Sequence, residues 1–302
     1  MDTEFKKELR EIVGESNFLE NEMMDRHTTF KIGGPCDCLI KPSDVNVLSK
    51  AVALCVNNDI PFFVIGRGSN LLVDDDGVRG VVIIPSGEMT DISLNGNELT
   101  AGAGASLINT AAFAADHGLA GLEFAGGIPG SVGGGLVMNA GAYGGEMKDV
   151  VKCATILCNG RLSTLSKEEL NLSYRHSVIE ELDHAIVVSV TFDLKPGDSA
   201  ELKAKISELN RRRMEKQPFD YPSAGSTFKR PVGGYASALI EQAGLKGLAV
   251  GGAQVSEKHA GFIINRENAT YHDVIALIKL VEDKVEQRSG IRLEPEVKIL
   301  GK

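Results

Sequence analysis

The stretch AGGIPGSVGGGLVMNAGAYGG (125–145) holds nine glycines in 21 residues. Each glycine inside a helix costs about 1 kcal/mol relative to alanine, so three in succession, Gly133 to Gly135, need a reason beyond turning the chain. Close approach of a ligand to bare backbone is one such reason. Upstream, VIGRGSNLLVDDDG (64–77) reads as a strand running into Gly66-Arg67-Gly68-Ser69-Asn70. Consecutive main-chain N–H groups there, with a hydroxyl and an amide beside them, suit a phosphate. An ordinary tight turn explains that segment equally well on its own. Neither G-x-G-x-x-G nor G-x-x-x-x-G-K-[ST] occurs in the chain, so neither common nucleotide fingerprint applies. Two such loops in one region point to a ligand with two phosphates or to an extended dinucleotide.

Working outward, the 302 residues suggest two or three compact units, because single cores stop growing at about 250–300 residues. The net charge of −9 excludes the basic footprint of a nucleic-acid binder. Arg211-Arg212-Arg213 is the one basic cluster and reads as a solvated helix C-terminus. No run approaches the roughly 20 apolar residues of a membrane span, and MDTEFKKELREIVGE (1–15) lacks a signal peptide's apolar core. The five cysteines form no C-x-x-C pair and cannot all pair as disulfides, which predicts a cytoplasmic, reducing location. Cys36 and Cys38 are expected as two small buried residues on one strand face. The six histidines show no H-x-x-x-H or H-x-H pattern, so no metal site is expected.

Periodicity predicts a helix capped by Ser43 with Val47, Leu48, Ala51, Val52 and Cys55 buried. A buried strand at 62–66, a strand at 78–84 and a helix over 106–117 follow. VVKCATILC and RLSTL flank Asn159-Gly160, a hairpin signal. Ser166 and Glu169 form a capping-box pattern for a short helix, and a polar helix covers about 199–215. Two prolines and Gly225 in KQPFDYPSAGS (216–226) mark a linker. Beyond it come a helix at 235–243, strands at 248–255 and 261–265, a helix at 270–289 capped by Thr270 and Asp273, and a last strand, IRLEPEVKIL (291–300). This places a boundary near 210, between a β-containing first part and a smaller α/β second part. On that last strand Glu294 and Glu296 would share a face. Taken singly, Arg175, Ser226 and Glu296 read as a surface, a turn and an edge-strand residue. No G-x-S-x-G elbow presents a serine nucleophile.

HTTFKIGGP (27–35), IGRGSNLL (65–72), GLEFAGGIPGSVGGGLVMNAGAYG (121–144), LSYRHS (172–177), PSAGSTFKRP (222–231), KHAGFIIN (258–265) and LEPEVKILG (293–301) occur in this order. Together they resemble the UDP-N-acetylenolpyruvoylglucosamine reductase family from about residue 27 to the end. The resemblance implies an α+β fold. Its first part is a FAD-binding domain of the vanillyl-alcohol-oxidase (PCMH) type over 1–210, with lobes of about 1–80 and 81–210. A smaller α/β substrate domain fills 211–302. It implies noncovalent FAD, NADPH as electron donor, and reduction of UDP-N-acetylglucosamine enolpyruvate to UDP-N-acetylmuramate for peptidoglycan, a process serving cell shape and division. It resembles the shorter class, lacking a tyrosine-bearing insertion between 180 and 200. A monomer or weak oligomer is expected. Another FAD-dependent oxidase or dehydrogenase of this fold, acting on sugars or hydroxy acids, would share the glycine loops but has no need of the three residues named next.

Carried onto this sequence, the family's catalytic trio falls on Arg175, Ser226 and Glu296. Arg175 and a protonated Glu296 would stabilise the enol-like species that follows hydride addition, and Ser226 would deliver the proton. The flavin site falls on Gly66, Arg67, Gly68, Ser69, Asn70 and Leu71 and on Gly126, Ile128, Pro129, Gly130, Ser131, Gly133, Gly134, Asn139 and Gly141. Tyr174, Arg230, His259 and Lys298 stand at or beside substrate-contacting positions.

Overall fold

The computed structural model describes residues 1–301. The chain forms two compact units, crossing between them after residues 20, 37, 66, 79 and 213. The linear reading has one boundary, near 210; the contacts also place 21–37 and 67–79 with the C-terminal residues.

The first unit comprises 1–20, 38–66 and 80–213. Its opening helix, Thr3–Val13, is capped by Asp2 and buries Phe5, Leu9 and Val13. These pack with Leu48, Ala51, Val52 and Cys55 of the helix Val45–Asn57, each large side chain worth about 1.5–3 kcal/mol on burial. Asp44, not Ser43, caps this second helix: its Oδ1 accepts from Asn46 N and Val47 N, both at 2.9 Å. Ser43 instead donates to the Asp44 carboxylate. Burial pushes the Cys55 thiol up to about 12, which makes it an inert packing residue. Cys36 and Cys38 are both buried on the strand Pro35–Ile40, as their i, i+2 spacing requires.

A five-stranded antiparallel sheet carries the rest of this unit, in the order Arg161–Ser166, Val151–Cys158, Ile186–Asp193, Glu98–Gly102, Ile92–Asn95. The hairpin signal is realised with Asn159 at φ 49° and Gly160 at φ 70°, the left-handed pair of a tight two-residue turn. Ser166 and Glu169 do exchange the reciprocal capping hydrogen bonds. They close a turn, however, and no helix follows. The helix Leu107–Asp116, capped by Ser106, buries Leu107, Ala111 and Ala114 in the core.

The second unit gathers Phe30, Ile32 and Leu72 into one core with Val274, Leu277, Ile278, Val281 and Val285 of the helix Tyr271–Ser289. That helix has the predicted Thr270–Asp273 capping box and ends on left-handed Gly290. A three-stranded sheet, Ala249–Val250, Ala253–Val255 and Ile263–Asn265, lies in the same unit. The final strand is shorter than its alternation suggested. Only Lys298–Leu300 is a strand, parallel to Leu71–Val73, and upstream a single bridge joins Pro295 to Phe228. Burial falls at Leu293, Val297 and Leu300, a spacing that an alternating strand cannot produce. No helix of the described residues is long and apolar enough to cross a membrane.

Candidate active site

In the first unit the two glycine segments meet. A Cβ built on Gly66 would stand 2.0 Å from Ser131 Oγ, so only glycine lets these segments lie against each other. The second segment is pinned from behind: Leu107 N donates to Gly130 O, Val132 N to Ala105 O and Gly133 N to Ala103 O. Much of the glycine richness therefore serves internal packing rather than a ligand. A Cβ at Gly133 would press on Ala103 and one at Gly126 on Ile206. Gly134 differs: it is exposed, and its Cβ would meet Ser131 Oγ alone, at 3.3 Å. Ser131 Oγ accepts from Gly134 N.

Asn139 ends this segment in a left-handed conformation, φ 40°, which asparagine tolerates better than most residues. Its side chain is 1% exposed and spent on protein partners. Nδ2 donates to Glu146 Oε2 (2.7 Å) and to Ser173 O (3.0 Å), and Oδ1 accepts from Lys148 N (2.9 Å). Asn139, expected among the cofactor-binding residues, has its side-chain amide committed to these three protein partners. Its role is to hold LSYRHS. Ser173 and His176 pair reciprocally, putting Tyr174 and Arg175 at the tip of a tight hairpin. Ser177, fully buried, donates to Val137 O at 2.9 Å. Arg175 stands at φ 55°, a strained conformation for a residue with a Cβ, and its guanidinium lies 5.3 Å from the Tyr174 ring centroid. The glycine-rich segment and the Arg175 tip are thus one mechanical piece.

Arg213 was missed. The sequence reading gave all three arginines to a solvated helix end, yet only Arg211 and Arg212 are exposed. Arg213 lies on the helix Ser199–Lys216, and burial pulls its guanidinium below the usual range while Tyr143 opposes the shift. A Cβ at Gly127 would reach Asn210 Oδ1 and the Arg213 side chain, and Asn210 donates to Gly126 O. Helical spacing, i and i+3, puts Asn210 and Arg213 on one face, the signal that could have found them.

In the second unit the first loop meets the turn that carries Ser226. A Cβ at Gly68 would fall 2.0 Å from His27 O. Thr29 N donates to Gly68 O, and Thr29 Oγ1 donates to Ser223 O at 2.7 Å. Ser69 O is the one atom near Gly225, at 4.0 Å from its ideal Cβ. Ser226 is exposed, whereas Thr227 after it is 4% exposed and fully bonded. Its N–H donates to Gly261 O (2.8 Å), its carbonyl accepts from Glu296 N (2.7 Å), and its hydroxyl accepts from Ile263 N (3.0 Å). Glu296 is held from the other side by Asn70, whose Nδ2 donates to Glu296 O at 3.2 Å.

His259 Nδ1 accepts from Gly261 N at 3.1 Å, and its ring meets Phe262 edge-on. Burial lowers its pKa below the ordinary 6.5, which favours the neutral ring. Arg230 stacks 4.6 Å over Tyr235. Lys298 is exposed and its N–H donates to Asn70 O. A hollow of about 590 Å³ in this unit is lined by Lys31, Gly33, Asp75, Tyr221 and Arg266; neither Ser226 nor Glu296 borders it.

Residues 217–300 match the model of the UDP-N-acetylenolpyruvoylglucosamine reductase C-terminal domain, and 36–166 that of a FAD binding domain. The UDP-N-acetylenolpyruvoylglucosamine reductase of Caldanaerobacter subterraneus subsp. tengcongensis is 51% identical over 97% of both chains. The chain belongs to the UDP-N-acetylenolpyruvoylglucosamine reductase family. The reductase of Clostridium botulinum strain Okra is 50% identical over 98% of this chain and 97% of its own. The crystal structure of the Thermus caldophilus reductase superposes with a TM-score of 0.81 at 36% identity, covering 92% of this chain and 97% of that one. The α+β fold with a FAD-binding part is therefore that of the reductase family. Within it, the residues present fit a flavin dinucleotide: Gly66 against Ser131 brings both glycine segments together, and exposed Gly134 leaves bare backbone beside them.

Proposed function

We propose that this protein reduces the enolpyruvyl double bond of UDP-N-acetylglucosamine enolpyruvate to UDP-N-acetylmuramate, in the cytoplasm, with NADPH as electron donor. FAD held at the glycine segments would supply hydride-transfer chemistry between NADPH and the substrate. Addition of hydride to the terminal methylene carbon leaves negative charge on the adjacent carbon and its carboxylate. Arg175, preset at a hairpin tip, offers a fixed cation to that charge. Glu296 in its protonated form donates a hydrogen bond to the same enol-like group. Ser226 passes its proton to the carbon, completing the reduction, and regains one from water. Ser69 offers a cofactor phosphate its main-chain N–H, and the other glycine-segment residues named above border the cofactor. Tyr174, Arg230, His259 and Lys298 bind or border the sugar nucleotide.

One observation carries this reading. Glu296 N donates to Thr227 O at 2.7 Å, so the main chain next to Ser226 runs beside Glu296, 70 residues away in the sequence. The test is optical. The purified protein is expected to be yellow, NADPH should bleach the flavin band, and the enolpyruvyl sugar nucleotide should restore it rapidly under anaerobic conditions. A colourless protein that takes up no FAD refutes the reading. Fast restoration by oxygen alone, with none by the sugar nucleotide, makes it an oxidase.

A further inference from the structure

The parallel pair Leu71–Val73 and Lys298–Leu300 does not stop where its strands stop. Lys298 N donates to Asn70 O at 2.9 Å, the last main-chain rung. In a parallel ladder the next rung back would be an N–H of residue 70 donating to the carbonyl of residue 296. Residue 70 is still in the turn, and the side-chain amide of Asn70 makes that bond instead, at 3.2 Å to Glu296 O. The side chain thus extends the sheet one rung while the main chain departs into the Gly66–Asn70 loop. Glu296 N is fixed by Thr227 O, so both main-chain groups of Glu296 are held.

We propose that Asn70 is a positioning residue for Glu296, tying the flavin-phosphate loop to the acid, with Thr227 as the opposite brace. This rests on the reading of Glu296 given above. Anything that seats the 66–70 loop also seats the Glu296 backbone, because Asn70 belongs to both. Its side chain therefore acts through Glu296 rather than as a phosphate ligand.

Asn70→Asp keeps the volume and removes the donor, turning an oxygen toward the Glu296 carbonyl. Two readouts separate the roles: FAD affinity of the apoprotein, measured by flavin fluorescence, and the ratio of flavin reoxidation by the sugar nucleotide to flavin reduction by NADPH. Positioning predicts FAD affinity within about threefold of wild type and a ratio lowered about tenfold or more, since small misplacements cost rate steeply. Loss of FAD affinity with an unchanged ratio overturns the proposal and makes Asn70 a cofactor ligand. Should Asn70→Asp not fold, Thr227→Val and Thr227→Ser carry the test. The valine should lower the ratio and the serine, which keeps the acceptor for Ile263 N, should restore it; equal ratios in both overturn the brace. Glu296→Gln serves as reference. If it leaves the ratio unchanged, the functional reading itself has failed; if it lowers the ratio while Asn70→Asp does not, only the positioning role has.

Discussion

Two asparagines, one at the end of each glycine segment, do similar work in different settings. Asn139 in the first unit fixes the carbonyl of Ser173 beneath the Arg175 tip, and Asn70 in the second fixes the carbonyl of Glu296. Asn139 is sealed in, with three hydrogen bonds from one amide. Asn70 is half-buried, in the turn proposed above to face the cofactor. The Arg175 tip is therefore braced by a sealed asparagine, whereas the Glu296 backbone is braced by a half-buried one. A fixed cation needs no adjustment to meet a carboxylate.

The comparison can be broken most forcefully at Asn139. Asn139→Ala removes the donor to Glu146 and Ser173 O, leaves Lys148 N without its side-chain acceptor and places an alanine at positive φ, an expected loss of about 2–3 kcal/mol. Urea unfolding measures it, and a loss below about 1 kcal/mol would mean the Arg175 tip is braced elsewhere. Thr227→Val leaves Ile263 N without its acceptor, for which about 1–3 kcal/mol is expected, with Thr227→Ser recovering most of it in the same melt. Asn70→Asp, partly open to water, should cost only about 1 kcal/mol despite its larger effect on the reoxidation ratio. That inversion, small in stability and large in chemistry, is what distinguishes the two asparagines.

The smallest effect is at His259. Burial holds its folded pKa below the ordinary 6.5, so below that value the unfolded chain takes up more protons than the folded one. Its contribution is present above about pH 6.5 and is lost as pH falls through that value toward the folded pKa. Thermal melts of His259→Asn, which keeps an acceptor for Gly261 N, should show a shallower acid-side slope than wild type. An unchanged slope places the acid sensitivity on other groups.

Features decided within a few residues were legible in the sequence: the Thr270–Asp273 capping box, the Asn159-Gly160 hairpin, and the burial of Cys36 and Cys38. Where two neighbours compete for one local job, the pattern misled. Ser43 lost the cap to Asp44, whose carboxylate accepts from two N–H groups at once. Closures over long separations left no local trace. Asn70 and Glu296 lie 226 residues apart, and no spacing rule connects them. The same limit hid the recruitment of 21–37 and 67–79 into the second unit and sent Arg213 to solvent with its two neighbours. It also left unread the close protein contacts that require glycine at 66, 126 and 133.

The central claim, that proton delivery to the reduced enolpyruvyl carbon belongs to Ser226 on the second unit, is tested most directly by anaerobic stopped-flow of Ser226→Ala in two separate mixings. Reduction of the bound flavin by NADPH should proceed at close to the wild-type rate, while reoxidation by UDP-N-acetylglucosamine enolpyruvate should slow by about 10²-fold or more. Equal slowing of both half-reactions, or no slowing of the second, would contradict the account.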